Sequence, residues 1–313
     1  MKELFAGIGL SRRTTTFVLA LVIAVAAIAE PRFVTTANLF NLSRQVGPNL
    51  IVATGMAVVI IAGGIDLSVG AMLSLAGVIA VAAQQEFGFG LGILFALLAG
   101  AAVGLANGLL VTRLRINAFI GTLGVMTVLR GVALLLSRSH TLPGQDPVFA
   151  ALADWPIFGI PASAVLAALL FLTTLYLMSS TPIGRSIYAV GGSLEASRLA
   201  GLRVERSLLL AYLSCGVAAA TAGVVVSSQI NSGSPLLGND TPLYAIAAVL
   251  LGGISMRGGA GSLIGMLQGV LILGILTNGL NISGVGGFYQ IIVVGSLLIL
   301  TVVLDRLAGQ KAH

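Results

Sequence analysis

Few residues of this chain are of the types that carry out chemistry. There is one cysteine, Cys215, and there are two histidines, His140 and His313, so neither a disulfide framework nor a metal site is expected. The only lysines are Lys2 and Lys311, and the sequence contains no Gly-x-x-x-x-Gly-Lys-[Ser/Thr] loop to hold a nucleotide. We therefore expect neither an enzyme nor a bound cofactor, and any active process must draw its energy from a partner.

The most informative polar residue is Asp66, in the segment Gly63-Gly-Ile-Asp-Leu-Ser-Val-Gly70 between two apolar runs. An aspartate in mid-membrane costs about 2.5–3.5 kcal/mol, and the flanking glycines allow backbone shapes that other residues avoid. The segment predicts a helix break. Asp66 would lie near the N-terminus of the next helix, where free amides favour a carboxylate, and Ser68 would cap the same turn. The alternative is that Asp66 and Ser68 belong to a translocation path or gate.

Three amides, Asn107, Gln268 and Asn278, interrupt runs that are otherwise apolar and rich in glycine. Interhelical hydrogen bonds in membranes contribute about 0.6 kcal/mol on average, so helix packing is the expected role of each amide. The alternative role for each amide is to line a path for a polyol, which needs amide and hydroxyl partners, and Asn107 and Asn278 are the candidates for that path. Arg130 also lies in an apolar run, and its charge must face protein, water or the membrane interface.

The composition is that of a membrane protein. Hydrophobic residues make up 57% of the 313 residues and charged residues 8%, with a mean hydropathy of +1.07. A soluble domain has about 25% charged residues, because water must wet its surface. The net charge of +6 does not indicate nucleic acid, since the basic residues lie between apolar runs rather than in patches. The expected fold class is all-α, a polytopic transmembrane helical protein in contact with membrane lipid.

Ten apolar runs are candidates for membrane spans, each of which needs about 20 residues. The second and the eighth are short, which predicts broken or tilted helices. The runs cover residues 14–29, 50–62, 67–83, 89–111, 118–136, 161–178, 207–228, 243–251, 263–280 and 288–304. We expect all of them to belong to a single transmembrane domain, residues 1–313.

The basic residues predict the orientation of these spans. With the N-terminus inside, 12 of the 16 basic residues fall on cytoplasmic segments, and only Arg32, Arg44 and Arg138 fall on outer ones. This is the positive-inside pattern, and it places both termini in the cytoplasm. The same orientation puts the loop 179–206 inside and the loops 137–160 and 229–242 outside.

Two segments are similar at an offset of 189 residues. Residues 57–65 read Ala-Val-Val-Ile-Ile-Ala-Gly-Gly-Ile, and residues 246–254 read Ile-Ala-Ala-Val-Leu-Leu-Gly-Gly-Ile. Transporters often build their sites between internal repeats. The match indicates either such a repeat or a chance likeness of two glycine-rich apolar segments.

The loop 179–206 contains the end signals of a short helix. Ser193 is a suitable N-cap, residues 195–199 can form about one helical turn, and Gly201 is a suitable stop. Glu195 in the first turn and Arg198 near the last match the helix dipole. A plain solvated loop is the alternative, but the length and the order of the caps favour a helix that docks on a partner.

These motifs resemble those of the permease family of ATP-binding-cassette (ABC) importers for ribose, xylose, arabinose and galactose. The likeness covers nearly the whole chain. Besides residues 63–70, it is carried by Asn38-Leu-Phe-Asn-Leu42, Asn117-Ala-Phe-Ile-Gly-Thr-Leu-Gly124, Leu129-Arg-Gly131 and Leu250-Leu-Gly-Gly-Ile-Ser-Met-Arg-Gly-Gly259.

Residues 188–202 resemble the segment with which this family docks on its ATPase. The family usually has Asn at the position of Ser193 and often Pro at that of Leu194, so the details of the contact differ here. The coupling residues that the resemblance implies are Gly192, Ser193, Glu195, Arg198, Leu199 and Gly201.

The resemblance also implies a function and a set of partners. The chain would be a multi-pass permease of the bacterial inner membrane that translocates a monosaccharide or similar small polyol into the cytoplasm. Its partners would be a cytoplasmic ABC ATPase, a periplasmic sugar-binding protein and a second permease copy, in a homodimer or a paralogous heterodimer. No nucleic acid is expected among them.

Other functions remain open at this point. A permease for branched-chain amino acids has a similar build, but that group usually has a variant ending in Ala-His-Gly where this chain has Ile-Asp-Leu-Ser-Val-Gly70. The aspartate form favours a sugar. A stand-alone secondary carrier would be expected to bury carboxylate or histidine relays, and only Asp66 is of that kind. An intramembrane enzyme would need a nucleophile–base pair, which the spans lack.

Overall fold

A computed structural model describes residues 12–310. Lys2, Lys311, His313 and the termini themselves lie outside the described residues. The helices are α1 (Arg12–Ala29), a 3₁₀ helix (Pro31–Val34), α2 (Thr36–Ile61), α3 (Val69–Thr112), α4 (Ala118–Leu136), α5 (Pro147–Leu152), α6 (Ala162–Ser180), α7 (Pro182–Gly192), α8 (Leu194–Leu199), α9 (Val204–Gln229), α10 (Thr241–Leu251), α11 (Leu263–Ile282) and α12 (Gly287–Gln310). The strands are β1 (Leu142–Pro143), β2 (Pro156–Ile157), β3 (Ile160–Pro161) and β4 (Ser232–Gly233).

The chain is an all-α polytopic membrane protein, as its composition predicts. Among the described residues, six helical segments are long and apolar enough to cross a membrane, namely Thr36–Ile61, Glu86–Thr112, Ala118–Leu136, Ala162–Ser180, Val204–Gln229 and Leu263–Ile282. Four shorter apolar segments accompany them, namely Thr14–Ala29, Val69–Gln84, Thr241–Leu251 and Gly287–Leu297. The eighth predicted span corresponds to α10, which is indeed short at 11 residues.

The helix α3 consists of two helical segments joined at a kink. Gly88 has φ 79° and ψ 162°, outside the helical range, so the chain is kinked there, near the start of the second of its two apolar segments, Val69–Gln84 and Glu86–Thr112. Because this φ lies in the left-handed region, glycine fits there and a side chain would be strained. The third and fourth predicted spans therefore correspond to two helical segments.

The prediction that the second span is short and begins at residue 50 is wrong, because α2 runs over 26 residues. Arg44, which we expected in an outer loop, lies within this helix. The polar residues of its first half are paired with other elements: Asn38 with Asn278, and Arg44 with Asp154. Hydropathy alone therefore misses this half of the helix, since its polar side chains face protein instead of lipid.

The helices α2, α3 and α9 form the centre of the bundle. From Val46 to Ile61, every residue of α2 except Asn49 is buried. The helix α3 approaches α9 through glycine, since a Cβ on Gly104 would lie 2.5 Å from the carbonyl oxygen of Tyr212. Glycine at this point lets the two backbones come closer than side chains would allow.

Glycines also bring three helix ends together at what we call the glycine junction. The amide of Gly259 donates to the carbonyl of Ile61, at the end of α2, over 2.8 Å. A Cβ on Gly258 would lie 2.7 Å from the Cα of Gly63, and a Cβ on Gly191, in α7, would overlap the Ile61 carbonyl. The end of α2, the end of α7 and the segment after α10 are therefore in direct backbone contact.

The helices α2 and α10 end in the same capping geometry. Gly63 and Gly253 follow the two helices with φ values of 85° and 80°. In both, this glycine amide bonds to the carbonyl three residues earlier, and the next amide bonds to the carbonyl five residues before it, as in a Schellman motif. The two glycines are 190 residues apart, whereas the similar sequence segments are offset by 189 residues. The capping position is therefore occupied by the first glycine of the pair Gly63-Gly64 and by the second glycine of the pair Gly252-Gly253.

Two pairs of short strands lie in the connections between helices. Strand β1 pairs with β4, with Leu142 opposite Gly233, and β2 pairs with β3 in a hairpin. The first pair joins the connection 137–160 to the connection 229–242. The hydroxyl of Ser228 strengthens this link by donating to the carbonyl of Phe149, in α5, over 2.6 Å. Both connections therefore lie at the same end of the bundle.

Candidate translocation and coupling sites

Asp66, Ser68 and Asn107 form one buried hydrogen-bonded group, the Asp66 cluster. Their exposed fractions are 1%, 1% and 0%. The Asp66 Oδ1 accepts the backbone N–H of Ser68 over 2.9 Å and its hydroxyl over 2.6 Å. The Nδ2 of Asn107, on α3, lies 3.2 Å from both carboxylate oxygens and 2.8 Å from Ser68 Oγ. Each carboxylate oxygen therefore has a protein partner, which offsets part of the cost of burying it.

Side chains of two further helices hold the segment that carries Asp66. Thr122, near the start of α4, accepts the backbone N–H of Leu67 over 3.1 Å. Tyr212, on α9, donates its hydroxyl to the carbonyl of Ile65 over 3.3 Å. A helix break inside a bundle leaves backbone groups without helical partners, and these side chains supply them. The predicted break between the second and third spans is confirmed.

The prediction that Ser68 caps α3 through its side chain is wrong. Ser68 occupies the N-cap position of α3, but it makes no side-chain capping bond. Its backbone has φ −74° and ψ −13°, whereas N-cap residues that bond to the helix amides are typically extended. The hydroxyl donates to Asp66 instead, so Asp66 organises the turn just before the helix.

Asn278 does not belong to the Asp66 cluster. It lies near the end of α11 and exchanges two hydrogen bonds with Asn38, near the start of α2, over 3.0 and 3.1 Å. Asn38 and Ile61 are about 35 Å apart along α2, and Asp66 follows Ile61 by only five residues. The residues predicted for a path or gate therefore occupy two separate parts of the bundle.

Asn278 lines a polar cleft of about 520 Å³ between the start of α2 and the ends of α9 and α11. We call it the carboxamide cleft, because six of its eight lining residues carry a side-chain amide, which offers donors and acceptors without charge. The cleft opens at the molecular surface. Its lining residues are Asn38, Asn41, Arg44, Gln45, Gln229, Asn278, Asn281 and Ile282.

The positive charge in the wall of this cleft is neutralised. Arg44 Nε lies 2.7 Å from a carboxylate oxygen of Asp154, and its second nitrogen donates to the carbonyl of Gln229 over 2.7 Å. The Gln229 amide donates back to the Arg44 carbonyl over 3.0 Å. The cleft therefore presents a neutral surface held in place by the junction of α2 with α9.

Gln268 and Arg130, the other two polar residues considered in the predicted spans, each bond to a side chain of another element. Gln268, on α11, donates to Thr16 of α1 over 2.9 Å, which is the packing role expected for it. Arg130, on α4, donates to the side-chain oxygen of Asn239, just before α10. The charged group of Arg130 therefore contacts protein, one of the three environments (protein, water or the membrane interface) that we expected for it.

The helix α8 has capping bonds at both ends. Ser193 Oγ accepts the backbone N–H of Ala196 over 3.2 Å. At the other end Gly201 has φ 78°, and its amide and the next one bond to the carbonyls of Arg198 and Ser197 in a Schellman motif. The predicted N-cap at Ser193 and the predicted stop at Gly201 are confirmed. The helix begins at Leu194, one residue before the predicted turn of residues 195–199.

The helix α8 faces away from the bundle. Among its six residues only Ser197 is buried, and Leu199 has 85% of its surface exposed. Gly192, Glu195 and Arg198 are exposed as well. The predicted coupling residues are therefore all exposed, and one of them, Leu199, is apolar.

The helix α7 connects α8 to the bundle. Tyr188 donates its hydroxyl to the carbonyl of Gly261, between α10 and α11, over 3.1 Å. Burial raises the pKa of Tyr188, so its hydroxyl stays protonated and able to donate. Through Gly191, α7 also takes part in the glycine junction. The helix α7 therefore contacts both the end of α2 and the segment after α10.

Comparison with known proteins assigns the chain to a family. The family described as the permease component of branched-chain amino acid transport systems matches residues 38–302. The chain belongs to this family of transport permeases.

Individual relatives match the permease over almost its whole length. It is 37% identical over 311 residues to the ribose import permease protein RbsC of Escherichia coli strain K12, covering 97% of each chain. It is 40% identical over 292 residues to RbsC of Bacillus subtilis strain 168, covering 92% and 90%. It is 35% identical over 292 residues to the L-arabinose transport system permease protein AraH of Escherichia coli strain K12, covering 92% and 88%. No solved structure matches. The resemblance to permeases of sugar importers is confirmed.

The carboxamide cleft is the part of the permease that the sequence motifs did not predict. Asn38, Asn41 and Gln45 follow one another at spacings of three and four, which places them on one face of a helix. That signal becomes informative only once α2 is known to begin at Thr36. Gln229 and Asn281 join them from helices distant in sequence.

Proposed function

We propose that this permease is the membrane subunit of an ABC importer that moves a monosaccharide or similar small polyol into the cytoplasm. It works with a separate cytoplasmic ATPase, a periplasmic sugar-binding protein and a second permease copy, identical or paralogous. The relatives named for ribose and L-arabinose transport support the sugar. The lack of a P-loop in the sequence supports a separate motor. The proposed location is the bacterial inner membrane.

We propose ten spans with both termini in the cytoplasm. The six long helices and the four shorter apolar ones supply ten segments. With Arg44 inside α2, Arg32 and Arg138 are the basic residues that remain on the predicted outer segments, so the positive-inside bias persists. The pairing of β1 with β4 supports an assignment of the connections 137–160 and 229–242 to the same outer side.

The observation that carries the proposal is the geometry of α8. A capped helix that is exposed on its outer side and anchored through α7 suits a rigid contact to a moving partner. We propose that the residues Gly192, Ser193, Glu195, Arg198, Leu199 and Gly201 contact the ATPase. Its motion would be carried through Tyr188 and the glycine junction to the ends of α2 and α10.

We assign different roles to the four residues proposed for a path or gate. Asn278 lines the carboxamide cleft, so it lies where a solute would enter from the outer side. Asp66, Ser68 and Asn107 are buried and bonded to one another, so they act on a gate by fixing the break between α2 and α3. Solute contact is proposed for Asn278 alone among these four.

Two observations favour a sugar over a branched-chain amino acid. The carboxamide cleft offers neutral donors and acceptors, which suit hydroxyl groups. An amino acid would need a cation for its carboxylate, and Arg44 is already bonded to Asp154. The relatives quoted above also carry the names of sugars rather than amino acids.

Uptake in cells tests this proposal. The permease is expressed with its cognate ATPase and binding protein in a host lacking its own pentose and hexose importers, and radiolabelled D-ribose, L-arabinose and L-leucine are supplied. We expect uptake of at least one sugar, its loss on ATP depletion, and no uptake of L-leucine. Uptake that collapses with a protonophore yet survives ATP depletion would contradict the proposal, as would uptake of L-leucine alone.

A further inference from the structure

An apolar groove runs along α9, and α2, α6 and α7 form the rest of its lining. We call it the α9 groove, and it has a volume of about 350 Å³. Helices α6 and α9 both pack against α2, which forms the floor between them. On α9 the lining runs from Leu210 to Thr221, which is about 16 Å along the helix. That length is roughly half of a hydrocarbon core of about 30 Å, so the groove spans about one leaflet of a membrane.

The α9 groove opens at an apolar outer surface of the bundle. Leu177 and Ile183, in its wall, have 41% and 43% of their surface exposed, and Ser214 is exposed on the α9 side. The neighbouring face of α6 exposes Leu169 and Leu172 as well. In a membrane protein, exposed apolar surface of this kind is covered by lipid or by another protein.

The interior of the α9 groove suits a hydrocarbon chain better than a sugar. Three of its four lining hydroxyl groups, those of Thr54, Ser214 and Thr221, donate to carbonyls of their own helices over 2.7 to 2.8 Å. The fourth hydroxyl is that of Thr174, and every other lining residue is apolar or glycine. A polyol would find few free donors here, whereas an acyl chain needs none.

Two arginines continue the groove face of α9 beyond the groove. Arg206 precedes Leu210 by four residues and Arg203 precedes it by seven, spacings that place the three residues on one side of a helix. Both arginines are exposed, and neither forms an ion pair with a carboxylate among the described residues. The neighbouring acid, Glu205, lies 3.5 Å from Arg113 instead. Two positive charges therefore lie just beyond the end of an apolar groove.

We propose that the α9 groove binds one anionic phospholipid. An acyl chain lies in the groove, and the phosphate of the headgroup contacts Arg206 and Arg203. These two charges select a lipid with net negative charge over a zwitterionic one, whose own amine offsets its phosphate. The site is separate from the Asp66 cluster and the carboxamide cleft, and it does not depend on which solute is transported.

The test of the headgroup contact uses the full-length permease alone, purified in detergent. Native mass spectrometry counts bound lipids and permease copies while phosphatidylglycerol, which is anionic, or phosphatidylcholine, which is zwitterionic, is added. Thermal unfolding is followed with a thiol-reactive dye, which reports exposure of the buried, unique Cys215 and so shows that each variant is folded. Arg206→Gln removes one proposed headgroup contact. Arg115→Gln is the matched control, because Arg115 is exposed two residues after Arg113, at the same end of the bundle, and does not line the groove.

A second pair of variants tests the position of the acyl chain. Ser214→Leu fills the groove from its α9 wall, and Thr174→Leu fills it from the α6 wall and serves if Ser214→Leu does not fold. Thr173→Leu is the matched control. Thr173 is exposed on α6 outside the lining, and its hydroxyl donates to its own helix over 2.8 Å, as the lining hydroxyls do.

We expect the wild type to bind phosphatidylglycerol about tenfold more tightly than phosphatidylcholine, or better. Arg206→Gln should weaken phosphatidylglycerol binding about fivefold, the value of one basic residue beside an anionic headgroup, and leave phosphatidylcholine binding unchanged. Replacing both Arg203 and Arg206 by Gln should abolish the preference. Ser214→Leu should weaken binding of both lipids about fivefold, because the chain loses its place. The two control variants should bind both lipids as the wild type does.

Equal binding of the two lipids by the wild type would overturn the site. Equal weakening by Arg206→Gln and Arg115→Gln would overturn it as well, since the charges would then act without a defined position. Unchanged lipid binding in both groove-filling variants would exclude the acyl chain from the groove. If Ser214→Leu instead lowers the fraction of paired permease copies, the groove is an interface between subunits and the lipid site is wrong.

Discussion

The Asp66 cluster and the carboxamide cleft are two ways of placing polar side chains inside an apolar bundle. In the cluster a carboxylate is enclosed, and each of its oxygens is bonded to protein. In the cleft most side chains are neutral amides, some of them bonded to protein, around a space that opens at the surface. Polar groups that bond to one another hold the structure together, whereas polar groups that face a space remain available to a solute.

This difference has a measurable consequence. Removing a partner from the Asp66 cluster leaves buried groups unpaired, which is costly because water cannot replace the lost partner. Removing an amide from the cleft lets water take its place. We therefore expect changes in the cluster to act mainly on stability, and changes in the cleft to act mainly on transport.

The largest expected effect is that of Asp66→Ala, which leaves the Ser68 amide and hydroxyl without their acceptor and the Asn107 amide bonded to Ser68 Oγ alone. The free energy of unfolding should fall by about 3 kcal/mol or more. Asp66→Asn keeps an acceptor for Ser68 and should lose about 1 kcal/mol. Thermal unfolding followed at Cys215 measures both. Equal stability of Asp66→Ala and the wild type would remove the structural role of the cluster.

Asn107→Leu should come second. It removes the bonds from the Asn107 amide to Asp66 and Ser68 and leaves one carboxylate oxygen unpaired, for a loss of about 2 kcal/mol. The same unfolding assay applies. If this variant were as stable as variants of the carboxamide cleft, the contrast between the enclosed and the open site would be wrong.

A smaller effect on stability, with a larger one on transport, is expected for Asn278→Leu. Its two bonds to Asn38 are buried, but the Asn38 amide keeps its bond to the carbonyl of Phe33, so the loss of stability should be about 1 kcal/mol. Sugar uptake should fall about fivefold. Gln268→Leu is the matched control on the same helix, since Gln268 packs against Thr16 and should leave uptake unchanged. Equal uptake by the two variants would exclude Asn278 from the path.

The smallest effect on stability is expected for α8. Glu195→Lys and Arg198→Glu change exposed side chains and should alter the free energy of unfolding by less than about 0.5 kcal/mol. Each should nevertheless reduce the amount of ATPase that co-purifies with the permease. Membrane insertion, measured by the yield of folded protein, should not change. Normal co-purification of the ATPase with both variants would remove the coupling role of α8.

The features that the sequence predicts well are local. The caps of α8 lie within nine residues of one another, and the break around Asp66 follows from glycines and a carboxylate between two apolar runs. Each of these signals depends on the neighbouring backbone, which the sequence specifies directly. The same holds for the shortness of α10.

The carboxamide cleft and the true length of α2 depend on contacts distant in sequence. Arg44 and Asn38 make the first half of α2 look like a loop, because their partners Asp154 and Asn278 become neighbours only in the folded bundle. The contact of Ser68 with the Asn107 amide, 39 residues away, is distant in the same way. No local pattern specifies these pairings.

The central claim is that a separate ATPase drives this permease through α8. Proteoliposomes that contain the permease and its cognate ATPase, supplied with the binding protein, allow D-ribose uptake and ATP hydrolysis to be measured together. We predict that uptake requires ATP and that Arg198→Glu lowers uptake and sugar-stimulated hydrolysis in parallel. Uptake that continues without ATP, or that is unchanged in Arg198→Glu, would contradict this account.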